Sequence, residues 1–221
     1  MTTTAVVHLV RHGQVENPTG VLYGRLPDFH LSELGRQMAD RVAEAFAAVE
    51  LVHLVSSPLE RAQETMAPIA AVHPELAVHT DGRVIEGGNQ LEGNKVGLKM
   101  VLRQPALALA FRNPLQPSWG EPYTQIVARM KAAIHDVAAR AVELGGSGAQ
   151  ALVVSHQLPI WMARCDAEGR RLAHDPRNRQ CTLCSVTSFT LVDGRVAAVA
   201  YTEPAADLQP AKASKTFVAG A

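Results

Sequence analysis

The sequence is short of cysteine, of long apolar runs and of any charge imbalance, and each shortage excludes something. Three cysteines, at positions 165, 181 and 184, are too few and too odd for a disulfide framework, which points away from secretion and toward the reducing cytoplasm. No apolar stretch reaches the roughly 20 residues that a membrane-spanning helix requires. The opening MTTTAVVHLVRH has no basic n-region, no long apolar h-region and no small-residue cleavage site, so it does not resemble a signal peptide. Lys plus Arg equals Asp plus Glu at 21 each, which leaves no electrostatic footprint for nucleic acid or an anionic membrane. The expected partner is a small molecule. Neither a Walker sequence nor a dinucleotide fingerprint is present, and Ser155-His156 lacks the nucleophile elbow of a serine hydrolase. Cys181 and Cys184, with Cys165 and His174, follow no strong zinc spacing. No metal and no cofactor is expected, and nothing in the chain indicates an oligomeric state.

What is present is an ordinary globular composition, 47% apolar over 221 residues, enough for one domain with a sizeable core. Three short runs share one design: AVVHLVRH at 5–12, LVHLVSS at 51–57 and ALVVSH at 151–156. They are rich in β-branched residues, unbroken, and end in polar residues, which is how strands buried on both faces of a parallel sheet read. Helical spacing separates them. Leu34, Met38, Val42, Ala45, Phe46 and Val49 recur after the N-cap candidate Ser32. Segments 59–72 and 122–144 also read as helices, the second with Pro122 at a tolerated first position. Strand–helix alternation implies right-handed crossovers and a three-layer α/β/α sandwich with a mostly parallel central sheet.

SVTSFTLVDGRVAAVAY, at 185–201, places Asp193-Gly194 between two β-rich runs and reads as a hairpin at the edge or end of that sheet. Residues 94–121 carry Pro105, Pro114 and Pro117 without a strand signal, and are expected to form a small helical insertion over the sheet. A single domain over 1–202 is followed by a Pro/Ala-rich stretch, 203–221, expected to be a loose tail.

Ligands of open parallel sheets bind beyond the carboxyl ends of the strands. The three runs deliver Arg11-His12, Ser56-Ser57 with Arg61 just beyond, and Ser155-His156 to one rim. Two guanidinium groups and two imidazoles in one crevice call for an anion, because desolvated like charges repel. Phosphate matches guanidinium geometry bidentately. Gly13 is expected to let backbone N–H groups approach that anion. His8 and His53, inside the runs, read as core histidines.

LVRHGQ (9–14), LSELGRQMA (31–39), SSPLERAQET (56–65), GEPYTQIVARM (120–130) and VVSHQLPI (153–160) resemble, in order, the motifs of the histidine phosphatase superfamily, the phosphoglycerate mutase-like proteins. The resemblance spans roughly 5–200 and implies that family's fold. It also implies that His12 is a nucleophile forming a phosphohistidine, that Arg11, Arg61 and His156 bind the phosphoryl oxygens, and that His156 acts protonated. Asn17 stands near the position of a family Asn, one residue closer to His12, and is a candidate neutral donor. Glu86, in RVIEGGNQLEG, resembles the family's acid and is the first choice for proton donor and base, with Glu92 and Asp81 in reserve. The segment after it is one residue short and lacks the usual aromatic-Gly pair.

The resemblance implies a metal-independent phosphomonoester hydrolase acting on a small phosphorylated metabolite. The alternatives are phosphoglycerate mutase-type transfer and a catalytically silent phospholigand-binding module. Family mutases resemble one another in a tandem Arg pair within the insertion; here Lys99, Arg103 and Arg112 stand singly, which favours the phosphatase, although Lys95 echoes a mutase position. Lys95, Lys99, Arg103 and Arg112, with Trp119 and Tyr123, are the candidates for substrate specificity.

Overall fold

A computed structural model describes residues 2–95 and 120–210. Six strands form one sheet: β1 (Thr4–Arg11), β2 (Leu51–Ser56), β3 (Val78–Thr80), β4 (Ala149–Ser155), β5 (Val186–Val192) and β6 (Arg195–Thr202). Their spatial order is β3-β2-β4-β1-β5-β6. The first four run parallel, while β5 and β6 are antiparallel to their neighbours. Four helices cover the faces: α1 (Glu33–Phe46), α2 (Glu60–Ala71), α3 (Tyr123–Gly145) and α4 (Gln157–Ala167).

The unbroken apolar runs are used on both sides, as their composition requires. Val7 and Leu9 of β1 point into a core with Ile126, Met130 and Ile134 of α3 and Ile160 of α4. Val10 of the same strand, with Leu54, Leu152 and Val154, faces Met38 and Val42 of α1 and Met66 and Ile69 of α2. The result is the expected α/β/α sandwich. The β5–β6 hairpin closes on Asp193 and Gly194, both at positive φ (47° and 73°), as a primed two-residue turn demands. It leaves β6 as the edge strand.

β3 carries no signal strong enough to be read from sequence: it has three residues, all exposed, and exists only because β2 offers it a paired edge. Pro122 is the N-cap of α3 rather than its first residue. Residues 203–210, expected to begin a loose tail, lie against the body: Ala205 is buried and Gln209 donates to the Leu183 carbonyl at 2.8 Å. Most of the insertion expected at 94–121, with Lys99, Arg103, Arg112 and Trp119, lies outside the described residues. Among those described, no helix is long and apolar enough to cross a membrane.

The loop leaving β1 is held to the start of α1 by a backbone crossing. Ser32 caps α1 by accepting from the Gly35 N–H (3.0 Å), and its own N–H donates to the Gln14 carbonyl (2.9 Å). A Cβ on Gly35 would lie 2.0 Å from that carbonyl oxygen, and one on Gly13 would lie 2.5 Å from the Gly35 oxygen. Backbone cannot swing aside as a side chain can. Gly35→Ala is therefore expected to lower stability by about 1–3 kcal/mol, in the range of core overpacking. Gly82→Ala, where a Cβ meets nothing within 4 Å, is expected to stay within about 0.5 kcal/mol of the parent. Urea midpoints of the two variants check the contrast.

Candidate active site

The carboxyl ends of β1, β2 and β4 meet at one rim because the ladder aligns them: Arg11 pairs with Ser155, and Ser56 with Val154. Arg11 is the last residue of β1. Its Nη1 donates to the Cys181 carbonyl at 2.7 Å. His12 follows, with its backbone N–H on the Ser155 carbonyl (3.1 Å). Arg61 comes from the first turn of α2 and is fully buried, with Nη2 on the Gly24 carbonyl at 2.5 Å and Cζ 4.8 Å from the centre of the Tyr23 ring. His156 caps α4, and its ring centre lies 5.1 Å from that of His12. Arg11, His12, Arg61 and His156, up to 145 residues apart in sequence, thus share one buried crevice.

Hydrogen bonding assigns the His12 tautomer. His12 Nδ1 stands 2.8 Å from the Gly13 carbonyl. A carbonyl only accepts, so Nδ1 carries the proton and Nε2 keeps its lone pair. His156 Nε2 is 2.7 Å from the Ser57 hydroxyl, which can donate or accept, and its Nδ1 is buried with no partner among the described residues. Arg11 Nε, Arg61 Nε and Arg61 Nη1 are buried donors that likewise lack acceptors among those residues. Three orphaned guanidinium donors in one crevice are costly unless an anion accepts from them.

Burial, then the charges of Arg61 and Arg11, hold the His12 pKa well below its ordinary 6.5, against the pull of the Gly13 carbonyl. Burial also leads for His156, followed by Arg61, His12, Arg129 and Arg11. Both shifts favour neutral rings when the crevice holds only these protein charges; a bound anion raises both pKa values, so the protonated His156 expected from the sequence belongs to the occupied site.

Gly13 is also corrected. Its N–H donates to Thr65 Oγ1 (3.1 Å), whose hydroxyl donates to the Arg61 carbonyl (2.7 Å). The glycine serves the backbone crossing with α1, not an anion. Asn17 is spent on its own turn, with Nδ2 on the Val21 carbonyl (2.8 Å) and Oδ1 accepting from the Val21 N–H and Thr19 hydroxyl. Lys95 is exposed at the border of the described residues, and Tyr123 is buried beside His174.

The three carboxylates separate cleanly. Asp81 caps a 3-10 turn (Gly82–Val84) and pairs with Arg83 at 2.8 Å. Glu92 accepts from the backbone N–H groups of Arg25 (3.0 Å) and Asn89 (3.2 Å) and so ties two loops together. Of the three, Glu86 alone acts electrostatically on Tyr23, while Arg61 feels both Glu86 and Glu92. Its Oε1 accepts from the Gly87 N–H at 2.8 Å. The Glu86 backbone carbonyl receives Arg25 Nε at 2.7 Å and Arg129 Nη2 at 3.3 Å, and Glu121 bridges the same two guanidinium groups at 2.7 and 2.8 Å. Burial pushes Glu121 up, but the Arg129 hydrogen bonds and both arginine charges outweigh it and hold its carboxyl below the usual range. Sequence reasoning brought Ser57 to the rim without a role and did not single out Tyr23, Arg25 or Arg129, although Arg129 lies within the GEPYTQIVARM motif. Among the described residues, no group of three or more His, Cys, Asp or Glu is arranged to hold a metal.

The fold thus gathers two arginines and two histidines at one strand-end rim. Residues 7–204 match the histidine phosphatase superfamily, branch 1, and the chain belongs to that family. An uncharacterised Mycobacterium tuberculosis protein is 51% identical over 201 residues, 90% of this chain and 96% of that one. Glucosyl-3-phosphoglycerate phosphatase of Mycolicibacterium vanbaalenii is 29% identical over 149 residues, 66% of this chain and 65% of that one. The solved structure of Bacillus stearothermophilus YhfR superimposes with a TM-score of 0.73 at 24% identity, covering 88% of this chain and 96% of that one.

The buried neutral imidazoles set a pH dependence of stability. Their folded pKa lies below 6.5, so the unfolded chain takes up protons first as pH falls, and stability drops from about pH 7 downward. Above that, both states are neutral and the contribution is flat. The urea midpoint is expected to fall between pH 7.5 and 5.5, and by less in His12→Gln and His156→Gln. Equal slopes in parent and variants would show that the rings are not buried neutral.

Proposed function

We propose that the protein is a metal-independent phosphomonoester hydrolase working through a phosphohistidine on a small phosphorylated metabolite. The observation that carries this reading is the set of orphaned buried nitrogens, Arg11 Nε, Arg61 Nε and Nη1 and His156 Nδ1, around a His12 whose Nε2 lone pair is left over by the Nδ1–H bond to Gly13. Phosphoryl transfer spreads charge over three equatorial oxygens, and these groups match that distribution.

In the first half-reaction His12 Nε2 bonds to phosphorus as the ester P–O bond breaks, and Glu86 in its acid form protonates the departing alkoxide. In the second, the Glu86 carboxylate takes a proton from water, whose oxygen attacks phosphorus. The N–P bond breaks, releasing inorganic phosphate and restoring His12 and protonated Glu86. The same field that keeps His12 unprotonated attracts the phosphate, so one arrangement serves both needs. Two phosphatases among the relatives are in keeping with hydrolysis, and a phosphoglycerate mutase-like relative keeps transfer as the second reading.

With EDTA present, the wild type is expected to hydrolyse p-nitrophenyl phosphate and His12→Ala to be inactive. Arg11→Ala and Arg61→Ala are each expected to lose about 10²–10³ in kcat, the worth of one preorganised donor. Glu86→Gln is expected to slow alkyl phosphates more than p-nitrophenyl phosphate, because a poor leaving group needs the proton. Equal slowing would misassign the donor. A wild type inactive from pH 5 to 8 would favour a binding module, and isomerised product from 3-phosphoglycerate with 2,3-bisphosphoglycerate would favour a mutase.

A further inference from the structure

Resting on the phosphatase reading, we propose that Arg179 forms a second anion subsite beside the phosphate crevice, so that the preferred substrates are phosphomonoesters bearing another anionic group, a carboxylate or a second phosphate. Arg179 lies in the loop between α4 and β5, which carries no family motif and was not singled out from sequence. Its place is set by a chain of hydrogen bonds leading out from the crevice. Arg11 Nη1 and Gln157 Nε2 both donate to the Cys181 carbonyl, at 2.7 and 3.3 Å. Gln157 Oε1 in turn accepts from Arg179 Nη1 at 3.3 Å. Arg179 is thus one side chain removed from Arg11, and Gln157 is the residue directly after His156.

The other contact fixes the fork. His174 Nδ1–H donates to the Leu172 carbonyl at 2.6 Å, which leaves Nε2 as the acceptor for Arg179 Nε at 2.8 Å. The His174 ring is wedged between Tyr123 and Trp161, with centroids 5.7 and 5.9 Å away, so the guanidinium is held by a packed, oriented partner. Burial lowers the His174 pKa first among its causes, which keeps the ring a neutral acceptor.

Every partner of Arg179 is therefore neutral. Among the described residues it makes no ion pair, and residues 96–119 and 211–221 contain no Asp or Glu side chain to supply one. Glu86 and Arg11 are close enough to act on it electrostatically, as is Tyr123. A half-buried, permanently charged fork with only neutral acceptors, anchored next to a phosphate crevice, is arranged to receive oxygens of negative charge. Its Nη2 has no hydrogen-bond partner among the described residues and remains for the ligand.

The test uses matched pairs that differ in one anionic group: phosphoglycolate against 2-hydroxyethyl phosphate, 3-phosphoglycerate against glycerol 3-phosphate, and 4-carboxyphenyl phosphate against phenyl phosphate. The bisphosphate and monophosphate of 1,3-propanediol separate a second phosphate from a carboxylate. In at least one pair the wild type is expected to favour the anionic member in kcat/KM. Arg179→Gln is expected to cut that preference at least tenfold, mainly through KM, and Arg179→Lys to restore part of it. No preference in any wild-type pair, or a preference that survives Arg179→Gln, would overturn the subsite. Parallel loss on both members of every pair would do so too, because a purely structural arginine moves them together. In each of those cases continued turnover of the uncharged members leaves the phosphatase reading standing. Failure of the wild type to hydrolyse any member would sink that reading and the subsite with it.

Discussion

Like charge crowded into a buried crevice is the constraint on which the rest of this molecule depends. Arg61 is fully buried, yet only its Nη2 has a hydrogen-bond acceptor. Two guanidinium groups and two imidazoles in such a space cannot all be cationic, since in a low effective dielectric each added charge strongly disfavours the next. The arginines keep theirs and the histidines give theirs up. That division leaves a lone pair on His12 and hydrogen-bond donors around it, two properties that in water would require opposite protonation states of the same ring type.

The scaffold's task is to enforce this crowding against its own repulsion. Parallel strands end together, so β1 and β4 bring Arg11, His12 and His156 to the same level without any loop having to search for its place. Arg61 arrives on the first turn of α2, where Thr65 one turn later joins its carbonyl to the Gly13 N–H. The crossing of Gly13 with Gly35 fixes the loop that carries His12. None of these contacts is strong alone, but each orders a backbone that is already packed on both faces, so little further entropy is lost.

Around the crevice, charge is handled differently. Glu121 neutralises Arg25 and Arg129, and the two arginines together hold the backbone carbonyl of Glu86. Glu86 is thus positioned through its main chain, and its Oε1 accepts from the Gly87 N–H. Arg179, by contrast, makes no ion pair among the described residues, although Glu86 acts on it electrostatically.

The sequence by itself determined the layers, most of the elements and the four residues gathered at the rim. Unbroken β-branched runs have one stable use, as strands covered on both faces, and polar residues at their ends must then fall on one side of the sheet. A local turn such as Asp193-Gly194 was equally legible, because its φ angles depend on its own two residues. Only the tertiary structure decided which groups face one another across long stretches of chain. It assigned Gly13 to a backbone crossing, Asn17 to its own turn, and Glu92 and Asp81 to loop bonds. It also buried His156 against the Ser57 hydroxyl and brought Tyr23, Arg129 and Arg179 alongside. Those roles rest on distance, burial and the direction of single N–H bonds, none of which has a periodicity or a spacing for a sequence to carry.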